Sequence, residues 1–331
     1  MNARLEPLRL PALADIQAAA LRLAGIVFRT PLLAGTALDE QSGGRVLLKL
    51  ESLQRFGSFK IRGAYNRLAQ LSSAERRAGV VAYSSGNHAQ AVAGAARMLG
   101  IRAVIVMPAD APRLKLENTR ALGAEVVLYD RYRENREGVA ARVLAERGGT
   151  LVPAFDDPQI VAGQGTAGLE LMQQAEELGL APDQVLVGAS GGGLASGCAL
   201  AIRSLSPATQ VVAVEPESFD DIRRSLAAGQ RLTNPPQART ICDALMSSPC
   251  GAIPFALMRE HLAGALAVSD DEVLAAMAWA FRVLKLVLEP GGAVTLAAVL
   301  AGKLPLAGRT TAIVLSGGNV DPEMFGRALG R

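Results

Sequence analysis

The chain has 331 residues, half of them hydrophobic and one fifth charged, so it is long enough for two domains with buried cores and too apolar to be disordered. Its formal charge of +3 is small for this length and argues against a nucleic-acid or membrane-surface protein. No apolar run reaches the roughly 18 residues of a membrane span, and residues 1–10 mix charged with apolar side chains, unlike a signal peptide. The three cysteines form no CxxC pair, which favours a reducing cytoplasm.

The first predicted elements in chain order are a helix over residues 11–24, an extended segment from residue 30, a strand over 46–51 and a helix over 58–70. From residue 79 the chain alternates between strands at 80–83, 102–107, 125–129 and 150–153 and helices at 87–99, 112–122 and 133–147. Repeated strand–helix units with apolar strands predict an α/β fold with parallel sheets and helices on both faces.

Asp156-Asp157-Pro158 interrupts this alternation and marks a crossing between domains. A second series follows, with helices at 158–178 and 192–205 and strands at 184–188 and 211–215. Residues 229–251 are irregular and are interpreted as a long loop beside the site. Later elements are a helix-like run over 255–266, a helix over 269–287, another helix beginning at 289–292 and a last strand over 311–315.

Lys60 is the first residue with a chemical signature. It falls in the first turn of the predicted helix 58–70, where the positive end of the helix dipole disfavours an ammonium and lowers its pKa. An amine with a lowered pKa is a nucleophile suited to Schiff-base chemistry. A solvated lysine on a helix surface is the alternative, and the local pattern alone does not decide between the two.

The segment around this lysine, residues 57–64, reads Gly-Ser-Phe-Lys-Ile-Arg-Gly-Ala. It resembles the cofactor-lysine motif of the pyridoxal-phosphate (PLP) enzymes related to serine/threonine dehydratases and serine racemase. The resemblance implies that Lys60 carries PLP, that Phe59 covers the ring and that Ser58 lies beside the substrate.

A second motif, Ser-Ser-Gly-Asn-His at residues 84–88, joins a strand to a helix. Its N–H groups and hydroxyls suit an anion at a helix N-terminus, although ordinary capping explains the same residue types. The resembled family binds the substrate carboxylate here, which implies substrate contacts from Ser84, Ser85, Gly86 and His88 and a contact of Asn87 with the ring hydroxyl of PLP. Ser85 also resembles the serine that faces the substrate opposite the lysine in the serine-racemase-like branch, so Lys60 and Ser85 are the expected catalytic residues. His88 itself is interpreted as a helix-start residue and not as a catalyst.

A third motif, Ser-Gly-Gly-Gly-Leu at residues 190–194, lets several N–H groups converge on one phosphate. It resembles the family's phosphate-binding loop, which implies cofactor contacts from Ser190, Gly191, Gly192, Gly193 and Leu194. The overlapping segment 188–192 also matches Gly-x-Ser-x-Gly, the nucleophile turn of α/β hydrolases. That alternative makes Ser190 a nucleophile and needs a later histidine. Only His261 follows, in an apolar helix-like run, and Lys60 is left unexplained.

The acidic segment 215–221, Glu-Pro-Glu-Ser-Phe-Asp-Asp, ends a strand. Such a segment can hold a hard cation through oxygen ligands, or can be a solvated turn. Its spacing resembles the divalent-ion site of serine-racemase-like enzymes, which implies Mg²⁺ or Ca²⁺ on Glu215, the carbonyl of Phe219 and Asp221.

The remaining site residues are implied by the resemblance at single positions and not by a whole motif. The resemblance places Ser316 against the ring nitrogen of PLP, Glu289 near the ring and Arg136 near the substrate, although Arg136 also fits a surface helix. A neutral hydroxyl at the ring nitrogen weakens the electron sink and favours elimination over a long-lived carbanion. Segment 241–245, Ile-Cys-Asp-Ala-Leu, departs from the family's usual Ala-Asp-Gly. Its Asp243 is an expected substrate contact, and its alanine leaves the identity of the substrate open.

These motifs span nearly the whole chain and identify it as a member of the fold type II PLP enzymes, a two-domain, tryptophan synthase β-like fold. We expect a large PLP-binding domain of residues 1–80 and 157–331, a small mobile domain of residues 81–156 and no regulatory domain after them. A cytoplasmic homodimer is expected, with a small amino acid as substrate and neither nucleic acid nor membrane as partner.

The implied reaction is an α,β-elimination that converts L-threonine, L-serine or a related 3-hydroxy amino acid to a 2-oxo acid and ammonia. Lys60 would remove the Cα proton, and Ser85 could return a proton from the opposite face. A 3-hydroxyaspartate dehydratase and a serine racemase are the alternatives on the same scaffold.

Overall fold

A computed structural model describes residues 8–330 of the chain. Its α-helices are α1 Leu13–Leu23, α2 Ala37–Ser42, α3 Lys60–Ala69, α4 Ser73–Ala78, α5 Asn87–Leu99, α6 Arg113–Ala121, α7 Arg136–Arg147, α8 Pro158–Glu177, α9 Gly193–Leu205, α10 Asp221–Ala228, α11 Ala252–His261, α12 Asp270–Trp279, α13 Pro290–Leu300 and α14 Pro322–Leu329. Its strands are β1 Leu32–Leu33, β2 Arg45–Lys49, β3 Val80–Tyr83, β4 Ala103–Pro108, β5 Glu125–Tyr129, β6 Thr150–Leu151, β7 Gln184–Gly188, β8 Gln210–Pro216, β9 Gly264–Val268 and β10 Thr310–Val314.

The larger sheet has the strand order β1-β2-β10-β7-β8-β9, and its strands run parallel except at the pairing of β1 with β2. Successive residues of a strand point to opposite faces, and both faces of this sheet are covered. Leu186 of β7 packs into a core with α12 and α13, whereas its neighbours Val185 and Val187 pack into a second core with α8 and α9. The apolar runs of these strands are therefore explained by burial on both sides.

The smaller sheet has the order β5-β4-β3-β6 and is parallel throughout. One face packs on α3 and α5 through Val80 and Ala82, and the other packs on α7 through Val81. The prediction of an α/β fold with parallel sheets and helices on both faces is confirmed. The division into a large and a small mobile domain stays a prediction. Helix α3 was assigned to the large domain, but its Ile61 packs into the core beneath the smaller sheet.

Two predicted elements differ from the structure. The helix-like run 255–266 contains the end of α11 and then strand β9, whose Ala265 pairs with Ala213 of β8. An apolar run of this length fits either element by periodicity, and the open edge of β8 decides the outcome. The predicted helix 269–287 ends as α12 at Trp279, continues as a π-helical turn and stops at Lys285 in a left-handed conformation.

No helix among residues 8–330 is both long enough and apolar enough to cross a membrane.

Candidate active site

A cavity of about 380 Å³ opens where strands of both sheets end. Tyr83, Pro108 and Tyr129 line it from the ends of β3, β4 and β5, and Gly188 lines it from the end of β7. Ligands of open parallel sheets bind at such carboxyl ends. The predicted site residues in its lining are Phe59, Lys60, Ser84, Ser85, Gly86, Asn87, His88, Arg136, Ser190, Gly191, Gly192, Gly193, Leu194, Asp243, Glu289 and Ser316.

Lys60 is the first residue of α3, and its Nζ donates a hydrogen bond to the carbonyl of Ala154 at 3.0 Å. Burial lowers the pKa of this amine to about 8, against the opposing effect of the Glu289 carboxylate. The predicted direction of the shift agrees with the structure, but burial is its main cause. The amine is therefore present in part as the free base near neutral pH, which suits it to bond a carbonyl carbon and to accept a proton.

Residues 190–194, called here the glycine loop, present an uncapped helix end to the cavity. Helix α9 begins at Gly193, and the preceding Gly192 has a φ of +91° and offers no side-chain cap. A Cβ on Gly191 would collide with the ring of Phe155, so the loop can take this path only with glycine there. The first N–H groups of α9 and the helix dipole form a cradle for an anion such as the phosphate of PLP.

Ser190 is not part of a hydrolase triad. Its hydroxyl donates to the carbonyl of Ser247 at 3.2 Å and accepts from the N–H of the same residue at 3.0 Å. His261, which the hydrolase alternative requires, does not line the cavity. This geometry contradicts the hydrolase alternative.

Asn87 belongs to a buried polar chain beside the cavity. Its Nδ2 donates to Oε1 of Glu289, and its Oδ1 accepts from Nδ2 of Asn319 at 2.9 Å. Nζ of Lys115 donates to Oε2 of Glu289 at 3.0 Å, and both charged side chains are only 4 % exposed. Burial opposes the ammonium, but the Glu289 and Asp243 carboxylates outweigh it and raise the pKa of Lys115. The polar chain thus fixes Asn87, the expected partner of the ring hydroxyl.

Ser85 faces the cavity with its hydroxyl donated to Oδ2 of Asp243 at 3.0 Å. The same carboxylate lies 3.7 Å from Nζ of Lys115 and, through its other oxygen, 4.0 Å from Nη2 of Arg131. Asp243 therefore joins the predicted motif 84–88 to the long loop 229–251 across the cavity.

Arg136 is the first residue of α7, and its guanidinium lies over the ring of Tyr83 at 5.4 Å. No carboxylate of residues 8–330 forms an ion pair with it. Arg136 lines the cavity, as expected for a residue near the substrate, and its contact with the substrate stays a prediction.

The ring of His88 is buried and lies with Nε2 3.0 Å from the carbonyl of Val152. Burial and the nearby charge of Lys60 lower the pKa of His88 to about 3, so the ring is neutral at physiological pH. This environment supports the interpretation of His88 as a helix-start residue, and its contact with substrate stays a prediction.

Two predicted serines have different surroundings. Ser316 lines the cavity just beyond β10, with Oγ 3.5 Å from the carbonyl of Gly291. Ser58 lies outside the lining, because its backbone forms an antiparallel bridge with Gly317 and turns the hydroxyl into the protein. That hydroxyl is buried without a hydrogen-bond partner in the described part of the chain, so the expectation that Ser58 contacts the substrate is not supported.

The predicted metal ligands lie apart from this cavity, at the end of β8. The Glu215 carboxylate accepts from the N–H groups of Ile222 at 3.0 Å and Arg223 at 2.8 Å, and Oδ1 of Asp221 accepts from Nδ2 of Asn234 at 2.6 Å. Burial raises the pKa of Glu215 to about 8 and that of Asp221 to about 6. Oδ2 of Asp221 is buried without a hydrogen-bond partner among the described residues. No group of three or more His, Cys, Asp or Glu side chains in the described ranges could hold a metal.

Sequence reasoning missed several residues that line the cavity, chief among them Lys115, Tyr129, Arg131 and Phe155. Tyr129 ends β5 and Arg131 follows it by two residues. The only available signal was that position, because residues after parallel strands gather at one edge of a sheet.

Comparison with known proteins agrees with this geometry. The family model described as "Pyridoxal-phosphate dependent enzyme" matches residues 23–317. An L-threo-3-hydroxyaspartate ammonia-lyase of Pseudomonas sp is 43 % identical over 315 residues, 95 % of this chain and 97 % of that protein. A serine racemase of Schizosaccharomyces pombe is 38 % identical and covers 97 % of this chain and 98 % of its own length.

Among solved structures, a threonine deaminase of T.th. matches with a TM-score of 0.88 and 47 % identity, over 94 % of this chain and 99 % of that chain. Lys60, the glycine loop, Asn87 and Ser316 supply an amine, an anion cradle and two polar side chains in one cavity, a set that fits PLP. The chain therefore belongs to the family of pyridoxal-phosphate dependent enzymes, with the fold type II architecture that its motifs predicted.

Proposed function

We propose that the chain is a PLP-dependent ammonia-lyase that converts a 3-hydroxy amino acid to a 2-oxo acid and ammonia, with L-threo-3-hydroxyaspartate preferred over L-serine and L-threonine. The sequence placed serine and threonine first. The observation that changes this order is the guanidinium of Arg136, which lines the cavity without a carboxylate partner among the described residues. A second substrate carboxylate would supply that partner.

The names of relatives support the same substrate. Two of them, from Pseudomonas sp and Saccharomyces cerevisiae, are L-threo-3-hydroxyaspartate ammonia-lyases, and the second is 40 % identical over 95 % of this chain. One serine racemase and one catabolic threonine dehydratase each match at 38 % identity, and racemisation of serine is the second candidate on this scaffold.

Several of the predicted residues have roles in this proposal. When bound, PLP supplies the electron sink that makes the substrate Cα–H acidic and lets the β-hydroxyl leave. Nζ of Lys60, whose pKa burial lowers to about 8, accepts the Cα proton. The glycine loop holds the phosphate, and the N–H groups at residues 84–88 hold the α-carboxylate. Oγ of Ser85, on the opposite side, holds a proton that Asp243 orients.

The buried carboxylates Glu215 and Asp221, with the carbonyl of Phe219, form the proposed site of Mg²⁺ or Ca²⁺. It is supported by Oδ2 of Asp221, which has no hydrogen-bond partner in the described part of the chain, and by the raised pKa values of both acids. Because the site lies at the start of α10 and outside the cavity, its ion would have a structural role. The two-domain division, the homodimer and the cytoplasmic location remain parts of the same proposal.

The deciding experiment compares kcat/KM of the purified holoenzyme for L-threo-3-hydroxyaspartate, L-serine and L-threonine, with ammonia and 2-oxo acid both quantified. The proposal predicts the highest value for 3-hydroxyaspartate. In Arg136→Met that value should fall about 10- to 100-fold while the value for L-serine changes little. A wild-type enzyme that prefers serine or threonine would overturn the proposed substrate.

A further inference from the structure

We infer that Arg131 is a specificity-determining residue that, together with the hydroxyl of Tyr129 and the guanidinium of Arg136, binds the distal carboxylate of a dicarboxylic substrate. This inference rests on the proposed function and deepens it, because it assigns a second guanidinium and a neutral donor to the same carboxylate.

The guanidinium of Arg131 has donors that no other residue between 8 and 330 uses. Its Nε donates to Oδ1 of Asp110 at 2.6 Å, which fixes the side chain at the rim of the cavity. Its Nη2 lies 4.0 Å from Oδ1 of Asp243, beyond hydrogen-bond distance. The side chain is three-quarters buried and lines the cavity, so its remaining N–H groups face the space that a substrate would occupy.

Tyr129 lines the same cavity as the guanidinium groups of Arg131 and Arg136. This last residue of β5 lines the cavity and is 9 % exposed. Burial raises the pKa of its hydroxyl, and the charges of Arg136 and Arg131 both act against that rise. Its phenol oxygen has no hydrogen-bond partner between residues 8 and 330 and can donate to an anion.

The acidic groups at this end of the cavity are already engaged. Asp243 accepts from Ser85 and lies near Lys115, and Asp110 is held by Arg131. The third acid, Glu134, accepts from the N–H of Asp130 at 2.9 Å and lies 3.8 Å from Arg142. On the cationic side, Lys115 is bound to Glu289.

The open donors are thus those of Arg131, Arg136 and Tyr129. The β-carboxylate of 3-hydroxyaspartate would satisfy them, whereas the side chains of serine and threonine would leave them unpaired. A site built to hydrogen-bond one group discriminates strongly against analogues that lack that group.

The test measures kcat/KM for L-threo-3-hydroxyaspartate and L-serine in Arg131→Met, Tyr129→Phe and a control, Arg133→Met. Arg133 lies in the same loop, is 86 % exposed and pairs only weakly with Asp130, at 3.6 Å. Arg131→Met should lower the value for 3-hydroxyaspartate about 10- to 100-fold and change that for L-serine less than about threefold. Tyr129→Phe should show the same selectivity with a smaller loss of about fivefold, and the control should leave both values unchanged.

A binding measurement provides a readout that does not depend on turnover. Titration calorimetry measures the affinity of the holoenzyme for succinate, a dicarboxylate without an amino group. Arg131→Met should weaken that affinity by a factor similar to the one by which it lowers kcat/KM for 3-hydroxyaspartate. Arg131→Lys keeps the charge but loses the paired donors, so it should fall between wild type and Arg131→Met. If the methionine variant does not fold, the lysine variant carries the same comparison.

The possible failures differ. If wild type prefers serine, the proposed substrate is wrong and the inference falls with it. If wild type prefers 3-hydroxyaspartate but Arg131→Met keeps that preference and the affinity for succinate, the inference alone is wrong. An equal loss for both substrates would also overturn it, since Arg131 would then only position Asp243.

Discussion

Replacing Lys115 by methionine tests the buried polar chain that holds Asn87. Methionine keeps most of the side-chain volume and removes the charge, which leaves the Glu289 carboxylate without its ion-pair partner. Glu289 is 3 % exposed, so water has little access to its carboxylate.

The expected loss of stability follows from this burial. Breaking a buried ion pair by removing one partner costs about 3 to 5 kcal/mol, because an uncompensated charge stays behind. Asn87 still donates to the other oxygen of Glu289, so we expect the lower end, about 3 kcal/mol. The double variant Lys115→Met with Glu289→Gln should cost less than Lys115→Met alone, because it removes the uncompensated charge.

Urea unfolding of the apoprotein measures these values through the fluorescence of Trp279, the one tryptophan of the chain. Lys303→Met is the matched control, since Lys303 pairs with Glu272 at 2.8 Å with both side chains about 30 % exposed. A pair of that kind contributes about 1 kcal/mol or less. The reasoning is refuted if Lys115→Met costs no more than this control, or if the double variant costs the sum of its two single variants.

Two further predictions concern pH. The pKa of about 8 at Lys60 means that the free-amine fraction rises about tenfold between pH 7 and pH 9, so the rate of cofactor uptake by apoprotein should rise likewise, with a midpoint near pH 8. A midpoint near the ordinary lysine value of 10.5 would contradict the burial argument. At the proposed metal site, the raised pKa values of Glu215 and Asp221 mean that the metal-free protein loses stability as the pH rises from about 4.5 to 8, because the folded state keeps protons that the unfolded state has released. Mg²⁺ or Ca²⁺ needs the deprotonated acids, so either ion should raise the melting temperature more at pH 8.5 than at pH 6. An equal rise at both pH values would count against the site, and so would a rise in Glu215→Gln as large as that in the wild type.

The sequence predicted most of what local pattern determines. The parallel sheets followed from apolar strands that alternate with amphipathic helices, and the cavity lining followed from short motifs at strand ends. Lys60, Asn87, Ser190 and Ser316 reach one cavity because each of those motifs lies at such an end or beside one.

What the sequence did not predict depends on contacts between distant segments. Strand β9 exists because β8 offers it an edge, and its own residues fit a helix as well. Lys115 is unremarkable in its helix until Glu289, 174 residues away, is placed against it. Arg131 likewise became a candidate for substrate binding only once the structure placed it in the cavity, near Asp243. The cause of the pKa shift at Lys60 also lies in tertiary burial and not in its helix position.

The most direct test of the central claim locates the cofactor on the chain. Purified protein is loaded with PLP, its visible absorption is recorded, and borohydride reduction followed by peptide mass spectrometry identifies the modified lysine. The account predicts a visible band in the wild type, its absence in Lys60→Ala, and the pyridoxyl group on Lys60 alone. A protein that takes up no PLP, or that carries the group on another lysine while Lys60→Ala keeps its band, would contradict it.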